Sequence, residues 1–423
     1  MSKSKILVVC PTDWERTEIA KPELRSQFEF LICCGELHDS IGLWNALRFD
    51  ARSYLLGIAS RYRDQKITGV LGTGDYPGCI FSAFLAQQLG LPAPSPREAV
   101  LLSHKYYSRQ HQRQRVPEAT PEFAQIDPFH PQKPASLDYP FFVKPVKGTM
   151  SIRAQMVRDA DSFRRAVRLS LRDQLRGWTL LSPYAQLLRL YQSAPIPAYS
   201  FIAEAPLRGV QVTVDGFVQN RVSTVMGITD SIMYPGTMSF RRFEYPSSLP
   251  KSVQNRMIEI ANRLMSGCDF DHSCYNIEMF YDDQDDSISI IEINPRMSYQ
   301  FSDLFAQVDG VSSFSVQLAL ATGIPVSWRR GQGPFQVAAS FVERLFHDAK
   351  VVSIPDENAL ANVEHRFPGT HIKILCAAGE RLSDHDQDVG SYRYCIINMA
   401  AQSSQELQDH YEQVTALLPF VFA

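Results

Sequence analysis

Residues 274–296 read CYNIEMFYDDQDDSISIIEINPR, two strand-forming runs separated by an acidic turn. Such runs on either side of a polar turn predict a β-hairpin. A hairpin symmetric about the centre of that turn pairs Glu278 with Glu292. It also pairs Asn276 with Asn294. Because alternate residues of a strand share a face, the stretch predicts a cluster of carboxylates and amides on one face of an antiparallel sheet.

Two carboxylates that face each other across a strand pair repel, so a positive charge is needed between them. Carboxylate and amide oxygens are hard ligands, which suit Mg²⁺ completed by phosphate oxygens and water. We therefore interpret Glu278, Glu292 and Asn294 as ligands of a magnesium ion, or of manganese in its place. A solvated acidic face is the alternative, but the second strand is rich in isoleucine on its other side.

The composition is that of a globular protein, with 423 residues, 45% of them hydrophobic and 21% charged. This length accommodates two or three domains. A formal net charge of −3 argues against partners such as nucleic acid or an anionic membrane. No apolar run reaches the roughly 20 residues of a membrane helix. The eight cysteines are scattered and the opening lacks a signal-peptide core, so we expect reduced thiols and a cytoplasmic location.

The first part of the chain alternates between strand and helix patterns. Short apolar runs have the length of buried parallel strands at 5–10, 28–34 and 67–71, and helical spacing recurs over 40–66 and 77–89. The alternation predicts an α/β domain with a doubly wound parallel sheet over residues 1–96. The turn 72–77 follows the third strand, at the edge where such sheets bind ligands. A plain tight turn explains it equally well.

The rest of the chain divides by pattern into four further parts. We predict a helical linker (97–140), a small lobe (141–205), a larger mixed-sheet lobe that contains the hairpin (206–330) and a closing subdomain (331–423). Residues 173–200 have no role that the sequence indicates.

Glu278, fourteen residues before the run Glu292-Ile-Asn-Pro-Arg296, resembles the metal-binding signature of the ATP-grasp superfamily of carboxylate–amine ligases. The likeness continues in order along residues 95–310, and is nearest to biotin carboxylases, carnosine synthases and bacterial L-amino-acid ligases. It implies an ATP-grasp architecture, in which 141–205 is the small ATP-binding lobe and 206–330 carries the metal site.

The resemblance also implies an ATP site with these residues: Lys105, Lys144, Gly148, Ser151, Glu204, Leu207 and Gln211. The two lysines correspond to the phosphate-binding lysines, and the loop 147–151 to the phosphate-covering loop. Glu204 and Leu207 occupy the adenine positions. Gln211 stands at the ribose position, where many relatives have an acid. Arg296 is the catalytic candidate, because a fixed guanidinium can stabilise charge on an acyl phosphate or a transferring phosphoryl group.

For substrate binding we consider Arg241, Arg242 and Tyr299. The arginines lie in a segment that links two strands of the central lobe, and Tyr299 follows the hairpin. An arginine can hold a carboxylate by a bidentate contact, although an exposed salt bridge is an equal explanation.

The implied reaction is an ATP-dependent ligation of a carboxylic acid, expected to be an amino acid, to an amine. It proceeds through an acyl phosphate and releases ADP and phosphate. Two alternatives remain open: activation of bicarbonate as in biotin carboxylases, and a nucleotide-binding protein without turnover. The expected partners are the small-molecule carboxylate and amine, and a homodimer is left open.

Overall fold

The computed structural model describes residues 3–35, 48–148, 153–385 and 390–423. Within these ranges the strands form a three-stranded parallel sheet, a four-stranded antiparallel sheet, an eight-stranded antiparallel sheet and a two-stranded ribbon. The predicted α/β class, with an N-terminal parallel sheet and a large central sheet, is confirmed.

The N-terminal sheet has the order β2-β1-β3. Its strands are β1 (Ser4–Val9), β2 (Phe28–Cys33) and β3 (Ile67–Leu71), and its helices are α1 (Asp13–Ala20), α2 (Pro22–Gln27), α3 (Ala51–Tyr62) and α4 (Gly78–Leu89). Leu7 and Val9 pack towards α3 and α4, whereas Ile6 and Val8 face helices of the central part of the chain. Alternation along β1 therefore buries both faces of this sheet. The first part of the predicted helix 40–66 lies outside the described residues.

The four-stranded sheet has the order β4-β7-β5-β6. Its strands are β4 (Phe123–Ile126), β5 (Phe141–Pro145), β6 (Gln155–Val157) and β7 (Phe201–Glu204), and the nearby helices are α5 (Pro96–Leu102), α6 (Lys105–Arg115), α7 (Ala160–Val167) and α8 (Leu171–Tyr191). Strand β4 comes from the segment 97–140, so this segment is not purely a helical linker. The domain boundaries themselves stay a prediction.

The long helix α8, in the segment for which the sequence indicates no role, packs on the N-terminal part. The Gln186 side chain accepts a hydrogen bond from the Ala51 amide (2.7 Å) and donates one to the Phe49 carbonyl (2.7 Å). The buried Tyr184 hydroxyl donates to the Val100 carbonyl (2.8 Å). Helix α8 is thereby held against the N-terminal part of the chain and α5.

The large sheet has the order β12-β11-β8-β9-β10-β13-β16-β15, and β14 pairs with β17. The strands are β8 (Val210–Gln219), β9 (Val222–Met233), β10 (Phe240–Tyr245), β11 (Ser273–Asp282), β12 (Ser287–Asn294), β13 (Val337–Leu345), β14 (Val351–Ser353), β15 (His371–Ile374), β16 (Tyr392–Ala401) and β17 (Val421–Phe422). The segment 331–423 therefore extends the same sheet that contains the hairpin.

The remaining helices cover the two faces of that sheet: α9 (Lys251–Met265), α10 (Tyr299–Asp309), α11 (Ser313–Ala321), α12 (Glu357–Arg366) and α13 (Ser404–Ala416). Phe243 and Tyr245 pack with α10 and α11 on what we call the front face. Phe341 packs with α13 on the back face. No described helix alone is long and apolar enough to cross a membrane, and only α10 and α11, bent by 104°, pass that test jointly.

We predict that Gln186→Ala lowers the free energy of unfolding by about 1 to 3 kcal/mol, because the two hydrogen bonds that join α8 to residues 49 and 51 are lost. The change is measured by urea denaturation. Arg189→Ala, at an exposed position of the same helix, is the matched control and should change stability by less than about 0.5 kcal/mol. Equal effects of the two substitutions would show that α8 is not docked through Gln186.

Candidate functional site

A cavity of about 180 Å³ lies between the hairpin, helix α6, the start of the phosphate loop and the turn after β3. It is lined by an unusual number of charged groups: Asp75, Lys105, Arg109, Lys147, Glu204, Glu278, Glu292 and Arg296. They come from segments that are far apart in the sequence, so only the fold brings them together.

The hairpin has the predicted register at its functional end. Glu278 is the partner of Glu292, and Asn276 is the partner of Asn294. Each pair points to the same face because paired residues on neighbouring antiparallel strands lie on one side of the sheet. The two carboxylates are therefore opposed, as the symmetry of the hairpin predicts.

A β-bulge follows directly, and it shapes the cavity. Met279 pairs with Ile290, which leaves Ile291 as the extra residue of β12. The Ile291 carbonyl accepts hydrogen bonds from the Arg109 guanidinium (2.8 Å) and from the Lys144 ammonium (3.2 Å). The bulge thus turns a backbone oxygen away from the strand ladder and towards two cations.

Glu278 and Glu292 differ in their electrostatic environments. Burial and the neighbouring Glu292 raise the pKa of Glu278 to about 7. Burial also favours the neutral form of Glu292, but Lys105 and Lys144 outweigh it and hold the pKa of Glu292 below its ordinary value. Lys105 Nζ lies 3.0 Å from Glu292 Oε2. In the described part of the chain, Glu278 has no ion pair with a lysine or arginine.

Glu278 instead accepts neutral hydrogen bonds. Gln211 donates to its Oε2 (3.0 Å) and Asn294 to its Oε1 (3.4 Å). Gln211, which we placed at the ribose position, therefore contacts the carboxylate pair. Among the described residues, no group of three or more His, Cys, Asp or Glu side chains is arranged to hold a metal by itself. Two carboxylates and an amide fit a Mg²⁺ ion whose other ligands are phosphate and water.

Lys144 and Glu204 form a second buried cluster with Arg109. Glu204 Oε2 lies 2.8 Å from Lys144 Nζ, and Glu204 Oε1 lies 2.7 Å from Arg109 Nε. Burial alone would raise the pKa of Glu204, but Arg109 and Lys144 lower it to about 2. Burial, aided by Arg109, lowers the pKa of Lys144. Each carboxylate oxygen of Glu204 is thus in contact with a cation. Leu207 lies half-buried in the segment after β7.

Lys105 lies at the first position of helix α6 and also donates to the Gly148 carbonyl (3.0 Å). This contact ties the start of the phosphate loop to the carboxylate pair. Ser151, predicted in the same loop, lies outside the described residues.

Arg296 contacts the turn after β3. From the sequence, this turn could be either part of a ligand site or a plain tight turn. Arg296 Nη2 and Nε lie 3.0 and 3.2 Å from Asp75 Oδ2. Gly72 permits this turn because a Cβ there would overlap the Gly78 carbonyl oxygen. Asp75 was missed as a site residue, and its only sequence signal is its position at the carboxyl edge of the parallel sheet.

Arg109 and Lys147 were missed as well. Arg109 lies four residues after Lys105, so both share one face of a helix, and this spacing is a signal in the sequence. Lys147 precedes Gly148 in the phosphate loop, but a lone lysine there does not indicate a buried side chain.

The structure does not bring the candidate substrate arginines to the cavity. Arg242 is the strand partner of Phe341, which lies on the back face. The Arg242 guanidinium donates to Glu244 (3.0 Å), and Glu244 also accepts a hydrogen bond from Ser404 at the start of α13. Arg241 lies at the irregularity before Arg242. Phe243 takes the front face, so alternation turns Arg242 to the back. Neither arginine lines the cavity, and their role in substrate binding stays a prediction. Tyr299 packs against Trp14, with ring centroids 6.4 Å apart, outside the cavity lining.

The buried Arg109–Glu204–Lys144 cluster predicts a pH dependence of stability. A carboxyl whose pKa is lowered by folding stabilises the fold fully when the pH is above its ordinary pKa of 4.5. This contribution is lost as the pH falls towards the lowered pKa of about 2. We expect Glu204→Gln to be destabilising at pH 7, and the deficit against wild type to shrink between pH 5 and pH 3 in urea denaturation. Glu122→Gln, which removes an exposed partner of Arg113, is the control and should be nearly neutral throughout. A deficit independent of pH would contradict the assignment.

Comparison with known proteins agrees with this geometry. Residues 137–302 match the ATP-grasp domain family. Three solved structures are similar over nearly the whole of both chains. An L-amino acid ligase from Bacillus licheniformis has a TM-score of 0.71 at 15% identity, with 100% of each chain covered. A biotin carboxylase from Campylobacter jejuni has a TM-score of 0.66 at 12% identity, with 100% of this chain and 92% of that one covered.

The third is an N5-carboxyaminoimidazole synthase from Aspergillus clavatus in complex with ADP, with a TM-score of 0.64 at 12% identity and 98% of each chain covered. A search of curated proteins by sequence gave no match. At these identities the likeness establishes the fold. We conclude that the chain carries an ATP-grasp domain, within an ATP-grasp fold that extends over its described length.

Proposed function

We propose that this protein is an ATP-dependent ligase that activates a carboxylic acid as an acyl phosphate and joins it to an amine. The observation that carries the proposal is the opposed pair Glu278 and Glu292, surrounded by cations in a cavity of about 180 Å³. A buried, opposed carboxylate pair is costly, and it serves a purpose when a divalent cation arrives with a nucleotide.

The hairpin residues and the two lysines have different roles in the proposed binding of Mg²⁺ and nucleotide. Glu278, Glu292 and Asn294 would hold Mg²⁺, which would supply positive charge against the phosphates of the nucleotide. Lys105 exchanges its contact with Glu292 for a phosphate oxygen when nucleotide enters. Lys144, fixed by Glu204, supplies a second positive charge from the small sheet.

Two bond changes follow in the proposed reaction. The acid's carboxylate oxygen attacks the γ-phosphorus of ATP, and the bond to the bridging oxygen of ADP breaks. The amine nitrogen then attacks the acyl carbon, the bond between that carbon and the phosphate oxygen breaks, and the nitrogen loses a proton to solvent as phosphate leaves. Arg296 lies beside the carboxylate pair and is oriented by Asp75, so its guanidinium is available to the charge that develops on the transferring group.

Activation of bicarbonate is the second candidate, because a biotin carboxylase is among the similar structures. The 423 residues contain no Met-Lys-Met carrier segment. The similarity to an L-amino acid ligase, with a TM-score of 0.71, supports an amino acid as the acid. A homodimer and a cytoplasmic location stay predictions.

The nucleotide product tests the mechanism. We expect turnover mixtures with amino acids in pairs, ATP and Mg²⁺ to contain ADP and phosphate, measured by chromatography. Hydroxylamine should trap the activated acid as a hydroxamate. AMP and pyrophosphate as products would exclude an acyl-phosphate route, and ADP formation that depends on bicarbonate alone would favour the second candidate.

The carboxylate pair offers a matched set of variants. Both Glu278→Gln and Glu292→Gln should reduce Mg²⁺-dependent ADP formation by about 100-fold or more. Their stabilities without ligand should differ. Glu278→Gln relieves repulsion and should keep or raise the melting temperature, whereas Glu292→Gln leaves Lys105 buried without its partner and should lower it. Near-wild-type turnover in both variants would show that the hairpin does not bind the metal.

A further inference from the structure

A row of polar side chains crosses three strands of the large sheet beside the carboxylate pair. Asp215 of β8 is the strand partner of Asn276 of β11, and Asn276 is the partner of Asn294 of β12. The three side chains share one face, since partners on antiparallel strands lie on the same side of the sheet. Each residue is at most 9% exposed. The polar atoms of the row therefore depend on one another for hydrogen bonds.

The hydrogen bonds in this row run in one direction. The Asn294 amino group donates to Asn276 Oδ1 (3.2 Å) and to Glu278 Oε1 (3.4 Å). The Asn276 amino group donates to Asp215 Oδ1 (3.1 Å) and to the Ser298 hydroxyl (2.5 Å). An asparagine side chain has one donating end and one accepting end. The two amides are thus aligned head to tail, each with its amino group towards the next residue of the row.

We infer that Asp215 and Asn276 are positioning residues that set the orientation of the Asn294 amide and so leave its carbonyl oxygen for Mg²⁺. The inference rests on the proposed function for the identity of the ion. Asp215 offers Asn276 an acceptor, which selects the amino end of the Asn276 amide. Asn276 Oδ1 is then turned to Asn294 and selects the amino end of that amide in turn. A reversed Asn294 amide would present an amino group, which cannot bind a cation.

Ser298 gives its hydroxyl to this row instead of to the helix that it precedes. It is the N-cap residue of α10, and a serine at that position ordinarily accepts a hydrogen bond from an amide of the first turn. The Ser298 side chain makes no such bond, and its hydroxyl accepts from Asn276. The stabilisation that a cap would give to α10 is given up, and the Asn276 amino group is held by two acceptors.

Asp215 is a costly residue to bury at this position. It is 1% exposed, and burial raises its pKa to about 7. The contact with Asn276 needs only an acceptor at Oδ1, which the carboxyl offers with or without a proton on Oδ2. A leucine of similar size would fill the space without the cost of burying a carboxyl, but it would lack the acceptor.

Calorimetric titration with ADP tests the inference, and we call the ratio of ADP affinities with and without Mg²⁺ the Mg²⁺ gain. Asp215→Leu removes the acceptor and should lower the Mg²⁺ gain by about tenfold, while ADP affinity without Mg²⁺ stays within about twofold of wild type. Asn276→Val interrupts the row one step nearer to Asn294 and should give the same loss. Asp215→Asn keeps an acceptor for Asn276 and should stay within about threefold of wild type.

Thr229→Val is the matched control, because it removes a buried hydroxyl from the neighbouring strand β9 and should leave the Mg²⁺ gain unchanged. Melting curves verify that each variant is folded. Asn294→Asp has oxygens at both ends of its side chain, so it has no amide to orient. In that background, Asp215→Leu should change the Mg²⁺ gain by less than about twofold.

Three results would overturn the inference alone: an unchanged Mg²⁺ gain in folded Asp215→Leu or Asn276→Val, an Asp215→Asn variant as impaired as Asp215→Leu, or a tenfold loss from Asp215→Leu in both Asn294 backgrounds. The last of these would indicate that Asp215 supports the fold of the site and not the direction of the amide. Absence of a Mg²⁺ gain in the wild-type protein would refute the proposed metal site, and this inference with it.

Discussion

The burial of two opposed carboxylates on one hairpin is the constraint on which the arrangement of the other charged groups in the site depends. Glu278 and Glu292 face each other across a strand pair, and the protein supplies only one of them with a cation. The other carries a pKa of about 7 because burial and its neighbour disfavour its charge. Glu278 therefore has no ion pair with a lysine or arginine among the described residues, which supports the proposal that the carboxylate pair takes up a divalent cation.

The surrounding cations come from every part of the fold. Lys105 starts helix α6, Lys144 lies in the small sheet, and Arg296 follows the hairpin. The bulge at Ile291 adds a backbone carbonyl between Arg109 and Lys144. The Arg296–Asp75 pair joins the large sheet to the turn after β3. Helix α6 is joined to the small sheet by Arg109–Glu204 and to the hairpin by Lys105–Glu292.

Local patterns in the sequence predicted the hairpin well. Its register follows from symmetry about the turn, and the two lysines named from the resemblance, Lys105 and Lys144, both contact the second strand of the hairpin. The bulge at Ile291 was not predictable, because nothing in the isoleucine-rich run marks one residue as extra.

Long-range contacts could not be predicted from the sequence, and the reason is physical. Asp75 meets Arg296 across 221 residues of sequence, and only the packing of the N-terminal sheet against the large one makes them neighbours. That Arg242 lies away from the cavity was equally not predictable, because it depends on which face of the sheet Phe243 takes. The Glu204 side chain was assigned by resemblance to the adenine pocket, whereas the structure pairs it with two cations.

The central claim is that the opposed carboxylates accept a metal ion together with the nucleotide. Calorimetric titration of the wild-type protein with ADP, with and without Mg²⁺, tests it most directly. The account predicts that Mg²⁺ strengthens ADP binding by about tenfold or more, and that this gain disappears when both Glu278 and Glu292 are replaced by glutamine. Equal ADP affinity with and without Mg²⁺ in the wild-type protein would contradict it.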